Sequence, residues 1–82
     1  MAVPGLGNGA RITVGIKQTR LAIDRGKAVK VFIARDADAK LVEPIIAQCS
    51  DKEIPLVSVS SMRELGKACG IQVGAAAAAL ID

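Results

Sequence analysis

The sequence predicts an α/β fold, a three-layer α/β/α sandwich with a mixed, mostly four-stranded sheet. Three observations carry that prediction. Short β-branched segments alternate with segments of helical spacing, and glycines and prolines punctuate the joins. One of these segments, Val29 to Ala34, is apolar on most of both faces, as a strand between two helix layers must be. With 82 residues there is room for one domain, whose core must be efficient to hold so small a chain.

In chain order, residues 1–10 come first. They hold Pro4, Gly5, Gly7 and Gly9 and read as a flexible, glycine-rich tail before a single domain over 11–82. Ile12 to Val14 reads as a short strand entering Gly15. Ile16, Leu21, Ala22 and Ile23 predict a helix over about 16–25, with Gly26 as its stop. Val29, Val31 and Ile33 alternate with Lys30, Phe32 and Ala34 and predict the next strand. Asp36-Ala37-Asp38 can cap the next helical segment. Proline is tolerated in a first helical turn, so Pro44 predicts a break: a turn at 39–43, then a helix at 44–52. Leu56 to Val59 reads as a strand. Ser61 and Glu64 have capping-box spacing and open a helix to about Cys69, closed by Gly70. Ala75 to Ile81 is ambiguous. Its five consecutive alanines favour helix intrinsically, but so short a terminal helix is marginal. The strand–helix alternation favours a final strand, whose small side chains would let helices pack close. No repeat and no second domain is apparent.

Composition excludes several functions. The chain has no His, Trp or Tyr, and Phe32 is its one aromatic. A His-based triad, a His metal site and a row of base-stacking aromatics are therefore ruled out. Ile and Val together supply 17 residues, which argues against disorder. The net charge of +3 hides an asymmetry: residues 1–35 carry +6 and residues 36–82 carry −3. The first part could attract a polyanion, or could be an ordinary solvated basic helix. Cys49 and Cys69 form no Cys-x-x-Cys pair and read as buried thiols, although sequence does not exclude a disulfide. The first residues lack the charged start and apolar core of a signal peptide, and no apolar run approaches a membrane span. A reducing cytoplasm is the compartment these features predict.

Enzyme readings lack ingredients. No His can serve as a base, and Asp36 and Asp38 stand where helix caps belong. Leu65-Gly66-Lys67-Ala68 is a fragment of a phosphate loop without its first Gly or its Ser/Thr, and it falls inside a predicted helix. The Gly-x-Gly-x-Gly of the tail follows no strand. Two segments are more informative. In Gly15-Ile16-Lys17-Gln18-Thr19-Arg20, a Gly at a strand-to-helix junction frees backbone N–H groups to face an anion. Lys17 sits in the first turn, where the helix dipole disfavours it, and both Lys and Gln can pair with base edges. A plain polar helix start is the competing reading. In Gly70-Ile71-Gln72-Val73-Gly74, two aliphatic side chains lie on a glycine-flanked loop and are either tucked into the core or offered to a partner.

Taken together, these segments resemble the kink-turn RNA-binding ribosomal protein superfamily, in particular its short bacterial YbxF-like members. The resemblance runs from about Val14 to Ile81. It rests on Val14-Gly15-Ile16-Lys17-Gln18-Thr19, Asp24-Arg25-Gly26, Ala34-Arg35-Asp36-Ala37-Asp38 and, most specifically, Leu65 through Ala76. It implies an α/β/α sandwich that binds a kink-turn, a sharply bent RNA helix with a bulge beside tandem sheared G·A pairs. In the family, an Asn-Glu-x-x-Lys signature, read in bacteria as Lys-Gln-x-x-Lys, starts the first helix and meets the G·A pairs. Lys17 and Gln18 fill its first two places. The third is Leu21 rather than Lys, which removes one expected guanine contact or leaves Arg20 to substitute imperfectly. Ile71 and Val73 look like the family loop that packs on the flipped-out bulge nucleotide; where archaeal members carry Arg-Pro, this chain has Val73-Gly74. Arg25 matches a position that meets the phosphate backbone.

The resemblance thus implies an RNA surface of Gly15, Ile16, Lys17, Gln18, Arg20, Leu21, Arg25, Ile71, Gln72, Val73, Gly74 and Ala75. No cofactor, metal, membrane or small-molecule substrate is expected, and the chain is expected to act as a monomer. A protein-interaction adaptor, or a weak non-specific RNA binder, on the same fold is the alternative. Ribosomal RNA, a riboswitch and other transcripts all stay open as targets.

Overall fold

The computed structural model describes residues 11–81. The expected tail at 1–10 lies outside the described residues. The chain runs β1 (Ile12–Val14), α1 (Ile16–Asp24), β2 (Ala28–Ala34), α2 (Ala39–Asp51), β3 (Leu56–Val59), α3 (Met62–Cys69) and β4 (Ala77–Ile81). The sheet order is β1-β4-β2-β3. β2 and β3 pair in parallel, while β4 runs antiparallel to both of its neighbours. The sheet is therefore mixed, as expected, and the alanine-rich segment is one of its two inner strands rather than a helix.

Alternation along the strands divides the core in two. Phe32, Ala34, Val59 and Ala78 face one way and pack with Leu65 of α3. Val31, Ile33, Ala77 and Ala79 face the other way, beneath Ile23 of α1 and Val42, Ile45 and Cys49 of α2. Ala77, Ala78 and Ala79 are completely buried. Their methyl-sized side chains let helices sit close on both faces of β4, which is the use of Ala that favoured a strand.

One expectation needs correction. Pro44 does not split its segment, because α2 continues through it from Ala39 to Asp51. Asp38 caps the helix by accepting from the Lys40 N–H at 2.9 Å. Pro44 then falls in the second turn, where it gives up the bond its N–H would have made to the Lys40 carbonyl and its ring crowds that carbonyl. The buried stripe of Val42, Ile45 and Cys49 spans that point and holds both halves on the sheet. On α1, Leu21 is 39% exposed, as a residue of the expected RNA surface must be, and Thr19 is fully buried. Ile16, Thr19, Ala22 and Ile23 lie at the spacing of one helix face, and that face meets the sheet.

The cysteines are free thiols on opposite faces of the sheet. Cys49 packs under α2 and Cys69 packs on the α3 side. Burial pushes both thiols above their ordinary pKa, so both stay protonated and poorly nucleophilic. Among the described residues no helix is long and apolar enough to cross a membrane, and no cluster of potential metal ligands occurs.

Candidate nucleic-acid interface

The topology brings the two informative segments to one end of the sheet. β1, β2 and β3 all run toward that end, and β4 starts there. At the start of β4 the Gly15 N–H donates to the Ala77 carbonyl at 2.8 Å. On the other side, the Ala34 N–H donates to the Ala76 carbonyl at 2.9 Å. The beginning of α1, the β2–α2 turn and the segment leading into β4 are thereby held side by side.

Gly15 makes the turn into α1 with φ 111° and ψ 156°, a conformation open in practice only to glycine. No side chain caps α1, and its first turn holds no acid. The first intrahelical bond, from the Thr19 N–H to the Gly15 carbonyl, is 2.9 Å long. The N–H groups ahead of it point out of the helix end, with the positive end of the dipole behind them. Lys17, Gln18 and Arg20 are exposed on the first turns. Ile16 is half-buried and anchors the turn to the core. Lys17, Arg20 and Leu21 line one shallow depression, and Gln18, Leu21 and Arg25 line another. Leu21 is the ridge between them.

The second segment is built on the end of α3. Gly70 closes the helix in a left-handed conformation, φ 79°. Its N–H donates to the Lys67 carbonyl at 3.1 Å, and the Ile71 N–H donates to that of Gly66 at 3.0 Å. This bond pair is a Schellman motif, and its usual apolar contact is present because Ile71 packs into the cluster that contains Leu65. From Ile71 the chain returns along α3 as a strap. A Cβ on Gly66 would collide with the Val73 carbonyl, and one on Gly74 would press on Met62. The Ala75 N–H donates to the Met62 carbonyl at 3.0 Å. The choice left open for the aliphatic pair is thus divided. Ile71 is half-buried against the core, while Val73 is 71% exposed on the outer side of the strap.

The remaining expected site residues separate by position. Gln72 and Gly74 are exposed on the strap, whereas Ala75 is buried and serves the core. Arg25 stands at the opposite end of α1, about 13 Å from Ile16 along the axis at 1.5 Å per residue. There α1 is tied to α2: Gln48 Nε2 donates to Asp24 Oδ1 at 2.7 Å, and Lys52 Nζ donates to the Ile23 carbonyl at 3.2 Å. Arg35, absent from the expected set, is exposed at the end of β2, with its N–H donating to the Val59 carbonyl at 2.8 Å. Only its place in the β2–α2 turn at this sheet end marks it. Asp36 and Asp38 are caps, as expected, but of different helices. Asp36 Oδ1 accepts from the Met62 N–H at 2.7 Å and so caps α3 across the turn.

Fold and site together define a small α/β/α sandwich with an open basic helix start and an aliphatic strap at one end of its sheet. The family model described as "Ribosomal protein L7Ae/L30e/S12e/Gadd45 family" matches residues 4–82, and the chain belongs to that family. It is 46% identical over 71 residues to an "RNA-binding protein" of Geobacillus thermodenitrificans, covering 87% of each chain. It is 45% identical, with the same coverage, to the RNA-binding protein YbxF of Geobacillus stearothermophilus. Among solved structures, it is similar to the Giardia lamblia 15.5kD RNA binding protein, with a TM-score of 0.83 and 34% identity. That likeness covers 95% of this chain and 65% of the Giardia protein.

Proposed function

We propose that this chain is a non-catalytic RNA-binding protein that recognises and stabilises kink-turn RNA. The single observation that carries this reading is the 2.8 Å bond from Gly15 to Ala77, which sets the uncapped, basic start of α1 at the sheet end where the strap arrives. Membership of the family and the names of its RNA-binding relatives support it. In this reading, Lys17 and Gln18 donate to base edges at the sheared G·A pairs, and the free N–H groups of α1 meet the nearby backbone. Val73 covers a splayed bulge base by apolar contact, which needs no aromatic platform. An RNA that exchanges between extended and bent forms is then drawn to the bent one, in proportion to the protein's differential affinity for it. The chain acts as a monomer in a reducing cytoplasm, consistent with its two free thiols. Its target is a structured RNA such as ribosomal RNA or a riboswitch.

The test is a mobility titration at fixed salt with a kink-turn RNA and a control whose G·A pairs are converted to Watson–Crick pairs. Wild-type protein should prefer the kink-turn. Lys17→Ala and Gln18→Ala should each weaken binding by about 1–3 kcal/mol while the far-ultraviolet spectrum stays native. Unchanged affinity in both variants would remove this surface from the function. Leu21→Lys, which restores the family signature, should tighten binding. Equal binding to kink-turn and control would point instead to a non-specific basic binder.

A further inference from the structure

A groove runs along the outer side of α1, between that helix and the edge strand β1. Gln18 stands at its near end, Leu21 and Ala22 line it from α1, Thr13 and Ile81 line it from the sheet, and Arg25 and Lys27 stand at its far end. Arg25, Lys27 and Gln18 are exposed. Arg11 extends the far end: the Ile81 N–H donates to its carbonyl at 2.9 Å, and strand alternation puts Arg11 on the same sheet face as Thr13. The cations at this end are held on a stiff frame. The Arg25 N–H donates to the Leu21 carbonyl and the Lys27 N–H to that of Ala22, both at 3.0 Å. Among the described residues no acid lines the groove; Asp24 lines the depression on the other side of Leu21 and accepts from Gln48.

We infer that this groove is a second contact zone, which holds the sugar-phosphate backbone of one strand of a helix flanking the bend. The inference rests on the kink-turn reading and adds to it which part of the RNA this face holds. Two observations select the occupant. The groove adjoins the candidate interface, because Gln18 and Leu21 belong to both. Its polar groups are one amide, one hydroxyl and two cations, a set suited to phosphate and sugar oxygens rather than to an apolar peptide. From Gln18 to Arg25 the helix advances about 10 Å, enough to follow a short stretch of one strand's backbone. Arg25 thereby acts with Lys27 and Arg11 as a clamp distant from the base-reading turn.

The experiment uses the full chain and three RNAs: a kink-turn with two long flanking helices, and two versions in which one flank or the other is trimmed back to the bend. Affinities are measured over a range of salt for wild type and for an Arg25→Gln, Lys27→Gln double variant. Both side chains are exposed, so the variant should fold. On the long RNA it should bind about tenfold more weakly, and its slope of log affinity against log salt should fall by about one to two. Trimming one particular flank should abolish both differences, and trimming the other should leave them. Equal losses on all three RNAs, or no loss on the long one, would overturn the clamp while leaving wild-type preference for the kink-turn over its Watson–Crick control intact. Loss of that preference would instead overturn the kink-turn reading, and the clamp with it.

Discussion

α1 and α3 begin at the same end of the sheet, on opposite faces, and their starts are finished in opposite ways. The start of α3 is closed. Ser61 Oγ accepts from the Glu64 N–H at 3.1 Å, Asp36 Oδ1 accepts from that of Met62 at 2.7 Å, and Glu64 adds an acid to the first turn. The strap then lies against it, with the Ala75 N–H on the Met62 carbonyl. The start of α1 has a glycine for a cap, no side-chain acceptor and a lysine where the dipole favours an acid. Local stability was maximised at one helix start and forgone at the other. Free donors and a positive charge at a helix start are the features that favour an anion there, which is the role proposed for α1.

The contrast can be broken most severely on the closed side. Gly66→Ala drives a methyl into the Val73 carbonyl, and neither α3 nor the strap can move without giving up its Schellman bonds. A loss of about 3 kcal/mol is expected in urea denaturation, with the exposed Val73 displaced and RNA affinity reduced as a consequence. Gly15→Ala strikes the open side. A Cβ there meets no atom, so its cost is purely conformational at φ 111°, about 1–3 kcal/mol. A Gly15→Ala protein of unchanged stability would mean that the turn into α1 can relax. Ser61→Ala should cost about 1 kcal/mol in stability and leave RNA affinity unchanged, because it uncaps only α3. The smallest effect has the opposite sign. Lys17→Ala should stabilise the free protein by a few tenths of a kcal/mol while it weakens RNA binding. A destabilised Lys17→Ala protein would show that Lys17 serves the fold, and the contrast between the two helix starts would lose its meaning.

Much of the architecture was legible because its signals are local. The β-branched run of β2, the capping spacing of Ser61 and Glu64, and the glycine stops at Gly26 and Gly70 each act within a few residues, and each stands where the sequence placed it. The residues at the start of α1 and on the strap could also be picked out, from glycine placement and from a family signature. Three features were not legible. Pro44 is tolerated because a buried stripe across α2 outweighs the missing hydrogen bond and the crowded Lys40 carbonyl, and that stripe exists only against the sheet. Thr19 is fully buried although it is polar, because the sheet, not hydrophobicity, selects which face of α1 is covered. Asp36 caps a helix 26 residues further along the chain, a pairing that no local pattern encodes.

By itself, then, the sequence determined the order of strands and helices, most of their ends, the exclusion of histidine and aromatic-platform chemistry, and which short segments carry unusual residues. These depend on backbone preference, capping and composition, all of which operate over a turn or less. Tertiary structure decided which segments meet. It placed Gly15 and Ala34 on either side of the start of β4, turned Val73 outward while Ile71 was drawn into the core, and continued the line from Gln18 to Lys27 along one groove. Those outcomes depend on strand pairing and on burial against distant residues, interactions that exist only once the sheet is assembled.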